Sequence, residues 1–180
     1  MNNLVKNSMK NFVNKAPAVL LMLWPYIFFM GMLSESGSFF GVYCILTILL
    51  CVINVINAWT YSGEHNAREL GFWGMLIKLL HMPFYIVMML MGAITVMSTM
   101  ASSTAAGVPF VILFVVIIGF LFMITSSVYC AKAAMAAKDM GIMKKDTAMM
   151  MAICSFMFVG DVICGILIYS KIKNKTSRRY

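Results

Sequence analysis

Charge is what this chain has least of. Of its 180 residues six are acidic and fourteen are Lys or Arg, 11% in all, where a water-soluble domain carries about 25%. With 62% hydrophobic residues and a mean hydropathy of +0.91, that deficit excludes a soluble globule. Histidine is scarcer still. Neither of the two His has a carboxylate or thiol at metal-ligand spacing, so no metal and no cofactor is expected. The five cysteines, Cys44, Cys51, Cys130, Cys154 and Cys164, form no CxxC pair and lie in apolar runs, where they read as small hydrophobes with free thiols. No Gly-x-Ser-x-Gly elbow, phosphate-cradling loop or paired-carboxylate motif occurs, and no enzyme is expected. Strand alternation and internal repeats are lacking as well.

What the chain does have is long apolar runs: 16–34, 38–61, 71–100, 108–131 and 147–170, with a basic tail at 171–180. In hydrocarbon each backbone polar group must be paired within its own segment, so the runs should be α-helices. The expectation is one domain, an all-α integral membrane bundle of about five transmembrane helices. The first run follows Lys6, Lys10 and Lys15. It is longer than a signal-peptide core of about 7–15 residues and reads as a retained anchor. Pro25 inside it predicts a kink rather than a break, because a neighbouring helix can satisfy the carbonyl it frees. The third run exceeds one crossing of about 20 residues. Its start, Gly71–Met82, carries Trp73, Lys78 and His81 and suits the interface, with a bend at Pro83 before the crossing. The twenty Met residues read as flexible packing in place of Leu.

The basic residues fall in some gaps and avoid others. With the N-terminus in the cytoplasm, the gap with Arg68 and the loop with Lys132, Lys138, Lys144 and Lys145 are internal, while Glu35–Gly37 and Ala101–Gly107 are external. All of these satisfy the positive-inside rule. A fifth crossing would then export Lys171, Lys173, Lys175, Arg178 and Arg179, against the rule. Three arrangements compete: five crossings with an external basic tail, the inverted bundle, or a fifth run that turns back near Gly160-Asp161. The first is preferred, because the fifth run is long enough to cross and exposed irregular backbone is forbidden in lipid. The net charge of +8 points to anionic lipid headgroups as partners and away from nucleic acid.

Polar residues inside the runs are the candidate site. A charge at mid-bilayer costs at least about 2.5–3.5 kcal/mol, and Asp161 lies ~20 Å past Thr147 at about 1.5 Å per residue. It reads either as a proton or cation site or as a hydrogen-bonded packing residue. Lys78, His81, Tyr85, Met88, Gly92, Thr95, Thr99 and Ser102 share one face of the third helix, and Cys44, Thr47, Cys51, Asn54 and Ala58 one face of the second, with Asn57 beside it. Both stripes should face inward. Asn54, Asn57, Lys78 and His81 could then form one polar pocket with Glu64 and His65 at its mouth. The alternative has Lys78 snorkelling, His81 on a backbone carbonyl and the Asn pair bonding across helices. Gly37 with Gly41, and Gly92, are candidate helix-packing positions.

Two pieces of the chain, Lys78-x-x-His81-x-Pro83-x-Tyr85 entering an apolar helix and Phe158-x-x-Asp161-Val162-Ile163 before a Lys-rich tail, resemble an uncharacterised family of small multi-pass membrane proteins of Gram-positive bacteria. The resemblance implies a bacterial plasma membrane and singles out His81, Pro83 and Asp161 without assigning them a role. The function expected is non-enzymatic binding or transport of a small solute or ion, with Asp161 as the deep site and Lys78 and His81 as a gate. The alternative is an accessory or immunity-type protein acting through helix contacts with a membrane partner or a second copy.

Overall fold

The computed structural model describes the backbone of residues 2–32, 37–60, 66–101, 108–157 and 160–177, and the side chains of 15–31, 39–60, 67–98, 112–157 and 162–174. Those residues form six helices: α1 (Asn2–Met32), α2 (Gly37–Thr60), α3 (Asn66–Ala101), α4 (Val108–Asp139), α5 (Lys145–Cys154) and α6 (Gly160–Ser177). Three of them, α2, α3 and α4, are long and apolar enough to cross a membrane, and α1 adds a shorter apolar segment, Lys15–Gly31. The chain is therefore all-helical among the described residues and suited to a membrane.

Helices α3 and α4 pair along most of their length, antiparallel. Gly74 makes the close approach: a Cβ built there would lie 2.7 Å from Cys130 Sγ and 3.2 Å from the Cys130 nitrogen. Further along, Phe84 meets Phe122 edge-on with centroids 5.9 Å apart. Helices α1 and α2 pack across Phe28, Phe39, Tyr43 and Trp24. The Phe39 ring lies against Gly31, where no larger side chain fits. Outward faces carry Ile45, Leu49, Ile86 and Met89, all more than half exposed. That is the inverse of a soluble protein and is appropriate to lipid contact.

The fifth run departs from the single helix expected for it. Helix α4 ends at Asp139, two residues before Gly141, whose φ of +67° lies in the left-handed region open to glycine, and Ile142 N–H returns to the Ala137 carbonyl. Helix α5 then runs back along α4, from Lys145 beside Lys138 to Ser155 beside Ser127. A turn follows, and α6 descends along α3. Its Gly165 lies near Lys78 and Met75, and its Tyr169 and Ile172 lie near Gly71. The run is thus a helical hairpin whose two arms begin and end at the same end of the bundle. Lys15, paired with Glu69 at 3.5 Å, lies at that end too.

Helix α3 is continuous through Pro83, and Lys78 and His81, 2% and 0% exposed, are enclosed by protein.

Candidate functional site

Both predicted polar stripes face inward over part of their length, with Cys44, Tyr85, Gly92 and Thr95 only half-buried. Thr47, Cys51, Asn54 and Ala58 of α2 and Lys78, His81 and Met88 of α3 are buried, as the penalty for polar groups in lipid requires. They do not converge on one pocket. They divide into three local networks, each joining two or three helices. Glu64 and His65, the expected mouth, lie outside the described residues.

The first network belongs to His81. Proline has no N–H, so Pro25 leaves the carbonyl of Leu21, four residues earlier, without its helical partner. His81 Nε2 lies 2.9 Å from that oxygen. A carbonyl only accepts, so Nε2 carries the proton. His81 Nδ1 is buried and has no hydrogen-bond partner among the described residues. The ring is fixed edge-on against Phe122, with centroids 5.4 Å apart, and beside Tyr85. In the other direction Tyr26 donates to the Leu80 carbonyl at 2.5 Å, three residues before Pro83. Side chains of α1 and α3 are thus each bonded to a backbone carbonyl of the other helix.

The second network holds the hairpin tip. Lys78 Nζ donates to the Ser155 carbonyl at 3.2 Å and to Ser127 Oγ at 3.4 Å. Ser127 Oγ donates to the same Ser155 carbonyl. Ser155 is the C-cap of α5, so an ammonium sits where the helix dipole is negative. Its own hydroxyl returns to Ala152 O at 2.7 Å. Irregular backbone is tolerated at membrane depth only where protein covers it and pairs its polar groups, and Ser155 is fully buried. Lys78 therefore does not snorkel; it secures the end of α5.

The third network joins α2 to α4. Tyr129 O–H donates to Asn54 Oδ1 at 2.9 Å and accepts from Asn57 Nδ2 at 3.2 Å. Asn54 Nδ2 donates to Leu50 O. A parallel pair links α1 to α2, where Trp24 Nε1 donates to Thr47 Oγ1 at 2.7 Å.

Tyr129, Ser127 and Ser155 were not among the candidates. A lone Tyr near the end of an apolar run reads as an interfacial anchor, and small Ser residues read as packing. Only the adjacent pair Ser126-Ser127 inside an apolar run was a signal. Asp161 lies in the first turn of α6, one turn before Gly165; its side chain, and the surroundings of Gly37, lie outside the described residues. At Gly41 and Gly92 an added Cβ would meet nothing within 4 Å, so neither makes a close helix approach among the described residues. Gly31 and Gly74 do.

One sizeable opening is apolar. A cleft of about 790 Å³ lies between α3 and α4, at the end of the bundle away from Lys15 and the hairpin arms, and is lined by Phe28, Phe84, Tyr85, Met88, Phe114 and Phe120. Its few polar groups include Thr95, whose hydroxyl is bonded to Met91 O. Among the described residues no three His, Cys, Asp or Glu side chains come together as a metal site.

A family of unknown function, DUF6652, matches residues 13–174. The chain belongs to that family, in keeping with the resemblance to uncharacterised proteins noted above. No curated protein and no solved structure matches it.

Proposed function

We propose that this member of a family of unknown function is a non-enzymatic protein of a bacterial plasma membrane that binds a small apolar or amphipathic solute from within the bilayer. The observation that carries the reading is the α3–α4 cleft of about 790 Å³, lined by aromatic and Met side chains. Ligand pockets of about 300–1,000 Å³ with mostly apolar walls are the usual size for a small molecule. An ion path gated by Lys78 and His81 has less support, because both side chains are bonded to backbone carbonyls of neighbouring helices. The membrane arrangement that goes with this reading has four crossings, α1 to α4, and a re-entrant α5–α6 hairpin. Helix α5, ten residues long, spans ~15 Å at about 1.5 Å per residue, half of a hydrocarbon core of about 30 Å. In that arrangement the N-terminus, the loop with Lys138 and Lys145 and the basic tail are all cytoplasmic, in accord with the positive-inside rule.

The test is photolabelling of the purified protein in detergent with a diazirine-bearing decanol. Adducts should concentrate on 84–95 of α3 and 112–120 of α4 relative to Ile45, Leu49 and Val52, which are half or more exposed on α2. Gly92→Leu, which adds bulk at the cleft, should reduce that excess at least about fivefold, a change of ~1 kcal/mol. Even labelling of all outward faces would overturn the reading.

A second reading, an accessory protein acting through helix contacts, draws on the open space at Gly41 and Gly92. Gly41 lies on an exposed face and Gly92 at the open cleft, and small residues at such positions let a partner helix approach. It expects a co-purifying membrane protein that Gly41→Leu or Gly92→Leu releases.

A further inference from the structure

At the end of the bundle that holds Lys15 and the hairpin arms, a second groove of about 470 Å³ runs between α4 and α5. Its floor is apolar, made by Val128, Ala131, Ala148 and Ala152, and it leads toward Ser127 and the hairpin tip. Its sides carry three cations, Lys132, Lys138 and Lys145. Lys132 Nζ lies 4.6 Å over the Trp59 ring, and Trp59 is more than half exposed, as an interfacial anchor would be. Lys138 pairs with Asp139 at 3.0 Å but remains well exposed.

We infer that this groove is a binding site for one anionic phospholipid, with an acyl chain along the α4–α5 seam and the phosphate held by Lys138 and Lys145. Two features together select that occupant. An apolar floor leading into the bundle suits a chain, and cations at the mouth suit a phosphate, as in basic pockets between membrane helices. A soluble phosphate ester would leave the floor empty, and a zwitterionic lipid, whose phosphate is offset by its own ammonium, would gain less from the lysines. Bound there, the lipid would bridge α4 to α5 and hold the hairpin at its cytoplasmic end, as Lys78 does at its tip. The inference rests on the membrane reading above but not on the α3–α4 cleft, which lies toward the other end of the bundle.

The experiment is native mass spectrometry of the full chain in neutral detergent, titrated with dioleoyl phosphatidylglycerol or dioleoyl phosphatidylcholine. The glycerol lipid should be retained over the choline lipid at least about fivefold, given ~1 kcal/mol per lysine near a headgroup. K138Q/K145Q should abolish the preference and K138R/K145R should keep it. K171Q/K173Q, which removes the same charge from exposed positions on α6, should leave it intact. Equal retention of both lipids, an equal loss in the groove and tail variants, or displacement by glycerol 3-phosphate would each overturn the site. Retention of neither lipid would overturn the membrane reading with it.

Discussion

His81 Nε2 of α3 lies 2.9 Å from the Leu21 carbonyl of α1, the acceptor that Pro25 deprives of its helical donor. The proline and the histidine are one device: the first frees a carbonyl inside the bundle, and the second spends an otherwise costly buried polar group on it. His81→Leu should therefore destabilise the protein by about 0.6–1.7 kcal/mol, the range of interhelical hydrogen bonds in membranes. Pro25→Ala restores a backbone N–H for Leu21, so the double variant should recover most of that loss. The measurement is SDS-induced unfolding in mild detergent, followed by Trp fluorescence. Additive losses in the double variant would show the two residues to be independent.

Lys78 should control whether the hairpin stays docked. Its ammonium and Ser127 share the Ser155 carbonyl, and Cys130 lies fully buried beneath Gly165 of α6. In a variant retaining Cys130 as its one cysteine, Lys78→Met should speed maleimide modification about tenfold, equivalent to ~1.4 kcal/mol of docking energy. Unchanged Cys130 reactivity in Lys78→Met would deny the tip contact any part in docking.

Helix faces were legible in the sequence and helix partners were not. The three- and four-residue spacing of Thr47, Cys51 and Asn54, and of Lys78 and His81, follows from the helical repeat and the cost of polar groups in lipid. It correctly turns those residues inward. It cannot say which helix they meet, and so it joined into one pocket what the bundle divides into three networks. The fold-back was legible as one of three arrangements, prompted by the basic tail on the disfavoured side and placed near Gly160-Asp161. The described chain leaves α5 at 155–157, where Lys78 and Ser127 of other helices hold the Ser155 carbonyl. Gly41 shows no close neighbour among the described residues, while Gly74, which does pack closely, has no such partner by spacing in α3.

Topology separates the hairpin from the five-crossing bundle directly. In a Cys-free background, Asn174→Cys at the exposed end of α6 should resist an impermeant maleimide added to intact cells and react after permeabilisation. Lys138→Cys should behave in the same way, since the arms of the hairpin begin and end together. Labelling of Asn174→Cys but not Lys138→Cys in intact cells would restore the fifth crossing.

The glycines supply the last discrimination. At Gly74 a Cβ would meet Cys130 Sγ at 2.7 Å and Tyr129 Cβ at 3.3 Å, across the seam between α3 and α4. At Gly92 it would meet nothing within 4 Å. Gly74→Ala should therefore cost about 1–3 kcal/mol by overpacking, even though alanine is the better helix former. Cys130→Ala removes the nearest atom and should recover part of the loss, leaving the approach of the Cys130 backbone nitrogen at 3.2 Å as the remainder. Gly92→Ala should change stability by no more than about 0.5 kcal/mol, as substitutions in open space do. SDS unfolding of the three variants reads these differences. A costly Gly92→Ala in the isolated protein would mean that another surface covers that face, a second copy of the chain being the occupant then to test by cross-linking.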